Sequence, residues 1–323
     1  MAKNSAAILG ALVADAASLG LHWLYDPDRI SRIAADRGLV FLQPDMDDYS
    51  GAKGYFAHGG KTAGDSSSYG ETCLLMLAHL ARHGGFNRVA YQAEFRSHFG
   101  PGGAYIGYVD TPMRATLHTL LPLEPAAFPA ESGADDDQHL ALAALPALVA
   151  FHEGSQDSLM DRVEEVVRIT NNNALAVAAG QCAAAALFNM LRGEPAAQAL
   201  ANALPFAGST LRPLLEQALA MTMLDGIAAA QRFGSACHVA EGLPVIFHIA
   251  RQAPDYRSAI ESNIGAGGDS CGRSIMLGAM AAICAAGKRE AGCSIPLQWL
   301  ARYRKLAGAA DSCAALGFGS DIY

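Results

Sequence analysis

The sequence predicts an all-α fold, an orthogonal helical bundle around one core in a single domain spanning residues 1–323. Three observations predict it. Alanine dominates an apolar fraction of 51% in which aromatics make up only 7% of the chain, and alanine is the best helix former. Helical periodicity recurs almost throughout, while no run alternates as a half-buried strand would. No composition break marks a linker and no repeat is visible, and large one-core domains reach this length.

Residues Ala6–Leu21 read as the first helix. Asp26–Ser68 is rich in Gly, Asp and Pro with little periodicity, and a stretch that long inside a compact domain is usually functional or partly structured. Helices are then expected over Gly70–His83, Arg88–His98, Thr111–Leu121, Asp137–His152, Asp157–Ile169 and Asn172–Leu191. Further ones follow over Leu211–Gln231, Ala236–Ala250, Tyr256–Ile264, Ser270–Ala286 and Leu297–Tyr303.

Net charge is -8 and the pI is about 5.6, against the basic surface that nucleic-acid binding requires. A small anionic ligand stays open, since a local pocket can oppose the global charge. Cys73, Cys182, Cys237, Cys271, Cys284, Cys293 and Cys313 are odd in number, scattered and without a CxxC pair, which argues against a disulfide framework or a zinc–thiolate site. The N-terminus carries no secretory pattern. The apolar runs Ala183–Leu191 and Ile275–Ala286 are too short to span a bilayer. The expected compartment is the cytoplasm, with no membrane partner.

Some attractive signals are discounted. Gly54–Thr62 ends in Gly60-Lys61-Thr62, but five residues separate its glycines instead of four and no strand precedes it, so it is not a phosphate loop. His79 and His83 are four apart on a helix, as zinc ligands can be; without a third ligand nearby, a solvated face is preferred. Asp135-Asp136-Asp137 precedes an apolar helix and serves either as an N-cap or in a pocket.

Four segments carry candidate chemistry. In Ala14–Asp26, Asp15 and His22 are seven apart and share a face of a continuing helix; they form either a buried structural pair or a pocket acid and base. In Gly64–Glu71, hydroxyls of Ser66, Ser67 and Ser68 and the Tyr69 ring stand at a helix start, suited to capping or to phosphate and ribose. Gly100–Thr111 makes a tight turn that presents Tyr105 and Tyr108, either an ordinary connection or a pocket wall. Asn263–Arg273 is the sharpest: Gly267 and Gly268 admit close backbone approach, and a helix begins at once, offering free N–H groups. Asp269 stands at its N-cap position. Cys271 and Arg273 fall in its first turn, where a thiol is acidified by the helix end but opposed by Asp269.

In this order the four segments resemble the ADP-ribosylglycohydrolase family (dinitrogenase-reductase-activating glycohydrolase-like), and within it a lens-crystallin-like branch. Arg168–Asn171, Leu243-Pro244 and the helix leading to Gly267 extend the likeness over nearly the whole chain. The resemblance implies an all-α fold and cleavage of a glycosidic bond to ribose, in an ADP-ribosylated or related nucleotide-sugar substrate. It also implies two magnesium ions between the second and last segments. The chain departs from that pattern in an ordered way. His22 stands at the catalytic Glu position. Ser67, Ser68, Tyr69 and Gly70 replace Thr-Asp-Asp-Thr. Cys271 and Gly272 replace the second Asp and the Thr of the last motif. Magnesium wants carboxylate oxygens, and of the metal positions Asp269, Ser67 and Ser68 only Asp269 offers one, with Asp65 and Glu71 as substitutes to consider.

As an enzyme, the chain would use Asp269 to stabilise an oxocarbenium-like state, His22 as acid or base, and Cys271 as soft-metal ligand, nucleophile or pocket wall. Asp15, Ser66, Ser67, Ser68, Tyr69, Tyr105, Gly267, Gly268 and Arg273 would bind substrate. The competing expectation is a nucleotide-sugar-binding or structural protein without turnover.

Overall fold

A computed structural model describes residues 2–222, 225–286 and 295–319; Cys293 lies outside them. The fold is all-α, 67% helical, and among the described residues extended pairing is limited to isolated bridges such as Leu24 with Gly54 and with Gly268. Nearly all the buried apolar side chains form one contiguous cluster.

The centre is a pair of helices, Lys3–Ser18 and Ser270–Ala286. From Ser5 to Ser18 every residue of the first is buried, as expected of a helix apolar all round. Glycine lets the pair meet closely. A Cβ on Gly10 would lie 2.5 Å from Gly278 O and from Ala282 Cβ, and one on Gly278 would lie 2.5 Å from Ala14 Cβ. Ser18 and Ser274 share a 2.7 Å hydrogen bond across the pair, and the Tyr256 hydroxyl donates to Gly10 O at 2.7 Å. The crossing brings the C-terminal end of the first helix beside the glycine loop that starts the second.

Several elements differ from the sequence expectation for local reasons. The first α-helix ends at Ser18, a 3-10 turn spans Leu19–Leu21, and His22 is extended. The irregular Asp26–Ser68 stretch contains a helix, Pro27–Arg37, capped by Asp26 accepting from Arg29 N and closed at Gly38 with φ 76°. The Asp26-Pro27 pair is the N-cap and first-position signal for such a start. The helix expected over Asp137–His152 begins at Leu140 and divides into Leu140–Ala143 and Leu145–Phe151, because Gln138 bridges His238. Leu211–Gln231 divides into Gly208–Ala220 and Gly226–Phe233, the second capped by Asp225. Ala196–Ala203 and Leu306–Ala315 are helices that periodicity did not reveal.

Two helical segments, Lys3–Leu21 and Ala174–Leu191, are long and apolar enough by length and composition to cross a membrane; both are mostly buried inside the protein. The second extends the short apolar run at Ala183–Leu191 back to its Asn173 cap.

The central crossing should be intolerant of volume. Gly278→Val is expected to lower unfolding free energy in urea titrations by about 3 kcal/mol or more, through overpacking. Gly308→Ala, with open space around the new Cβ, is expected to gain roughly 0.5–1 kcal/mol.

Candidate active site

Asp269 is the hub, fully buried at the start of the Ser270–Ala286 helix. Four donors from four segments fill its carboxylate. His22 Nε2 donates to Oδ1 at 2.8 Å and the Gly272 amide to the same oxygen at 2.9 Å. His139 Nδ1 donates to Oδ2 at 2.7 Å, and the Tyr69 hydroxyl at 3.3 Å. Burial opposes the charge, but His139 and His22 overcome it and hold the carboxyl far below its ordinary range. Space for the cradle comes from glycine. A Cβ on Gly272 would sit 2.5 Å from Asp269 Oδ2, and one on Gly242 would collide with His139 Nε2.

His22 reaches Asp269 because its backbone strap is pinned on both sides. Trp23 N donates to Gly268 O at 2.8 Å, Gly268 N to Leu24 O at 2.7 Å, and Tyr55 N to Trp23 O at 3.0 Å. Trp23 adopts φ 65°, a left-handed conformation that costs a non-glycine residue about 1 kcal/mol or more. Its ring packs 4.2 Å from the His22 ring and 4.9 Å from Tyr108. The other His22 nitrogen, Nδ1, lies 2.7 Å from His58 Nε2.

Asp15 turns away from this cradle. Its oxygens accept from Ser67 N at 2.9 Å and Ser67 Oγ at 2.5 Å. Gly70 is required beside it, since any Cβ there would strike Oδ2. Burial pushes the Asp15 carboxyl up to about 7, with Ser67 partly offsetting. Thus Asp15 and His22 are both buried near the end of the first helix, yet each bonds a different segment. Cys271 Sγ lies 3.7 Å from Asp15 O; burial, then Asp15 and Asp269, push its thiol well up. The sign left open by sequence is therefore toward an unreactive thiol.

The other sequence candidates have assigned partners. Ser67 caps the Ser68–His83 helix by accepting from Tyr69 N, and Ser68 O accepts from Thr72 Oγ1. Ser66 and Ser68 are buried. Tyr105 is buried, not presented; its hydroxyl donates to Tyr108 O at 2.9 Å and Lys61 Nζ sits 4.2 Å from its ring centroid. Arg273 is fully buried and clamps the glycine loop, donating to Asn263 Oδ1 at 2.8 Å and to Gly267 O at 2.5 Å. Gly267 and Gly268, at φ 71° and 67°, let that loop approach Leu24 and Ser235.

Three residues of the site were not singled out by sequence: His58, His139 and Asp110. Each lay inside a segment read for another purpose. Asp110 caps the Thr111–Leu120 helix by accepting from Met113 N at 3.0 Å, while its second oxygen is buried without a partner. Burial pushes its carboxyl up to about 7; the Met113 amide opposes that, and the Asp269 charge adds to it.

The magnesium pair implied by the resemblance does not fit these donors. A carboxylate offers about four acceptor positions, and Asp269 has given them to His22, His139, Tyr69 and Gly272. Ser67 Oγ is given to Asp15. The candidate substitutes are committed too: Asp65 pairs with Arg304 at 3.0 Å, and Glu71 with Lys305 at 2.5 Å and His98 at 3.0 Å. Elsewhere, Glu94 supplies the third group that the His79–His83 pair lacked in sequence, and His79 is buried, not solvated. The Asn87 amide donates to His79 Nε2 at 3.1 Å, so the ring proton sits on Nδ1 and goes to Glu94 at 2.9 Å. Arg82 also binds Glu94. This is a hydrogen-bonded ion cluster, since a metal would need that Nδ1 bare.

Comparison with known proteins follows the same outline. The family model described as ADP-ribosylglycohydrolase matches residues 2–320. Crystallin J1A of Tripedalia cystophora is 28% identical over 313 residues, covering 93% of this chain and 91% of that protein. Crystallin J1B of the same animal is 26% identical over 309 residues with the same coverage. A solved structure titled ADP-ribosylglycohydrolase-related protein complex superposes with a TM-score of 0.70 at 18% identity, covering 97% of this chain and 96% of that one.

Asp269→Asn should break the cradle asymmetrically. The Gly272 amide keeps the amide oxygen toward His22, which turns the NH2 group onto His139 Nδ1–H and the Tyr69 hydroxyl. The expected loss is roughly 3–5 kcal/mol in denaturant titrations, as for one partner removed from a buried charge network. Asp110→Asn tests the second carboxyl. Its folded pKa of about 7 lies above the unfolded 3.8, so its stabilisation is complete below about pH 4 and is lost as pH rises through 7. The variant should flatten that decline, by up to about 4 kcal/mol, in melting curves recorded from pH 4 to 8.

Proposed function

The chain belongs to the ADP-ribosylglycohydrolase family, and from that premise we propose that it hydrolyses an N- or O-glycosidic bond to ribose, in an ADP-ribosylated or related nucleotide-sugar substrate, without a magnesium pair. One observation carries this reading. Two buried carboxyl groups within electrostatic reach have been pushed apart in pKa, Asp269 far down and Asp110 up to about 7. Such a pair is the signature of divided acid–base work. Glycosidic cleavage needs this division: a fixed negative charge for the oxocarbenium-like state and a carboxylic acid to protonate the leaving group. Asp269 supplies the first through a preorganised cradle. Asp110, with its unpartnered oxygen, supplies the second near neutral pH. His22 then orients Asp269, and Cys271 forms wall.

A specific observation also favours a second reading. Asp15, His22, Ser67, Tyr69, Asp269 and Cys271 are each at most 2% exposed, and the relatives named above are crystallins. On that reading the cluster is a structural hub in a binding or structural protein.

Release of ADP-ribose, followed by chromatography across ADP-ribosylated arginine, serine and small-molecule substrates, separates the two. The hydrolase reading expects turnover that EDTA changes less than twofold. It also expects Asp110→Asn to lower kcat by about 100-fold or more while calorimetric ADP-ribose binding persists. Wild-type protein that binds ADP-ribose but cleaves nothing on the panel would select the second reading. Chelator-sensitive turnover would refute the metal-free mechanism.

A further inference from the structure

His58 is 3% exposed and sits on the inner side of a loop whose Gly59-Gly60 tip is exposed. Hydrogen-bond direction ties it to Asp269 through His22. Asp269 is ionised and only accepts, so the facing nitrogens of His22 and His139 both carry hydrogen. With Nε2 of His22 protonated, a neutral His22 has a bare Nδ1. The 2.7 Å contact to His58 Nε2 then requires that nitrogen to hold the shared proton. The remaining His58 nitrogen, Nδ1, is therefore bare, and it is one of the buried atoms with no protein partner.

We propose that His58 Nδ1 is the proton-accepting port of the site, and that His22 and Asp269 act behind it as a relay. This rests on the hydrolase reading for its chemical role. A proton leaves water as its oxygen bonds to the ribosyl carbon. It binds His58 Nδ1; the proton on His58 Nε2 passes to His22 Nδ1; and the positive charge comes to rest on His22, 2.8 Å from Asp269. The leaving group departs with the electron pair of the broken glycosidic bond and takes its proton from Asp110. The two imidazoles together solve a problem that one cannot. Burial, with His22 and Lys61 nearby, keeps His58 from retaining charge, whereas His22 can place it against a fixed carboxylate. The charged and titratable groups facing the pair are Asp269, Lys61, Tyr49, whose hydroxyl donates to His22 O at 2.8 Å, and, edge-on at 6.0 Å to His22, Tyr69. The Trp23 ring packs on His22, and both nitrogens of His22 are taken by Asp269 and His58, so the unpartnered nitrogen of the pair is His58 Nδ1.

Imidazole 15N NMR on the ligand-free full chain tests the relay without reference to turnover. Nδ1 of His58 should give the shift of an unprotonated nitrogen and Nε2 that of a protonated one, while His22 carries its hydrogen on Nε2 and not on Nδ1. His58 found with its proton on Nδ1, or His22 with a hydrogen on Nδ1, overturns the proposal. His58→Gln keeps an amide donor toward His22 but removes the base. It should leave the fold and the ADP-ribose binding constant unchanged within twofold, lower kcat by about 100-fold or more, and remove the His58-dependent limb of the pH profile. Unchanged kcat in His58→Gln, with the relay intact by NMR, would reduce His58 to a positioning group. Absence of turnover in the wild type, with the tautomers as stated, would remove the hydrolase reading and leave the hydrogen-bond chain standing.

Discussion

A single buried negative charge organises this protein. An ionised carboxylate removed from water is tolerated only when fully hydrogen-bonded, and Asp269 meets that condition with donors drawn from far apart in sequence: His22, Tyr69, His139 and Gly272. Each donor belongs to a different segment, so satisfying one charge fixes the relative positions of the first helix, the serine-rich helix start, the turn before Leu140 and the glycine loop. The central helix crossing at Gly10 and Gly278 sets the distance at which those segments meet, and the small residues there are as necessary to the site as the polar ones.

Much of the architecture was legible from periodicity. The bounds of Ser270–Ala286 agree with the sequence expectation, and those of most other helices fall within a few residues. What periodicity could not supply were elements governed by capping, such as Pro27–Arg37, and breaks governed by tertiary pairing, such as the delayed start at Leu140. The site was partly legible too. The four segments that stood out in sequence do meet, because glycine clusters and ionisable residues at helix ends are local signals. The partners of Asp269 were harder to see, because hydrogen bonding across 130 or 247 positions leaves no spacing rule. His58 lies inside a segment whose glycines invite only a phosphate-loop reading, and His139 stands two residues beyond an acidic run that reads equally as a cap or a pocket group.

The departures from the family pattern form a physical set. Where the resemblance implies cations among carboxylates, this chain places neutral or hydrogen-bearing groups that donate directly to the one carboxylate kept. Fewer negative charges need fewer positive ones, and the imidazoles, phenol and amide do locally what an ion would otherwise do. Arg273, read from sequence as a ligand contact, instead stiffens the loop that presents Asp269, so charge on the page of the sequence became scaffold in three dimensions.

The glycine at position 70 has a consequence for how such a site can change over generations. Its bare Cα is what admits the Asp15 carboxylate, and the Tyr69 beside it spends its hydroxyl on Asp269. An acidic residue at Tyr69 alone would set a further carboxylate beside Asp269 with no cation to separate them, and a threonine at Gly70 alone would drive a methyl-bearing carbon into Asp15. Each single change toward the family pattern is thus costly until its partners change as well. The two arrangements are exchanged only by several substitutions made together.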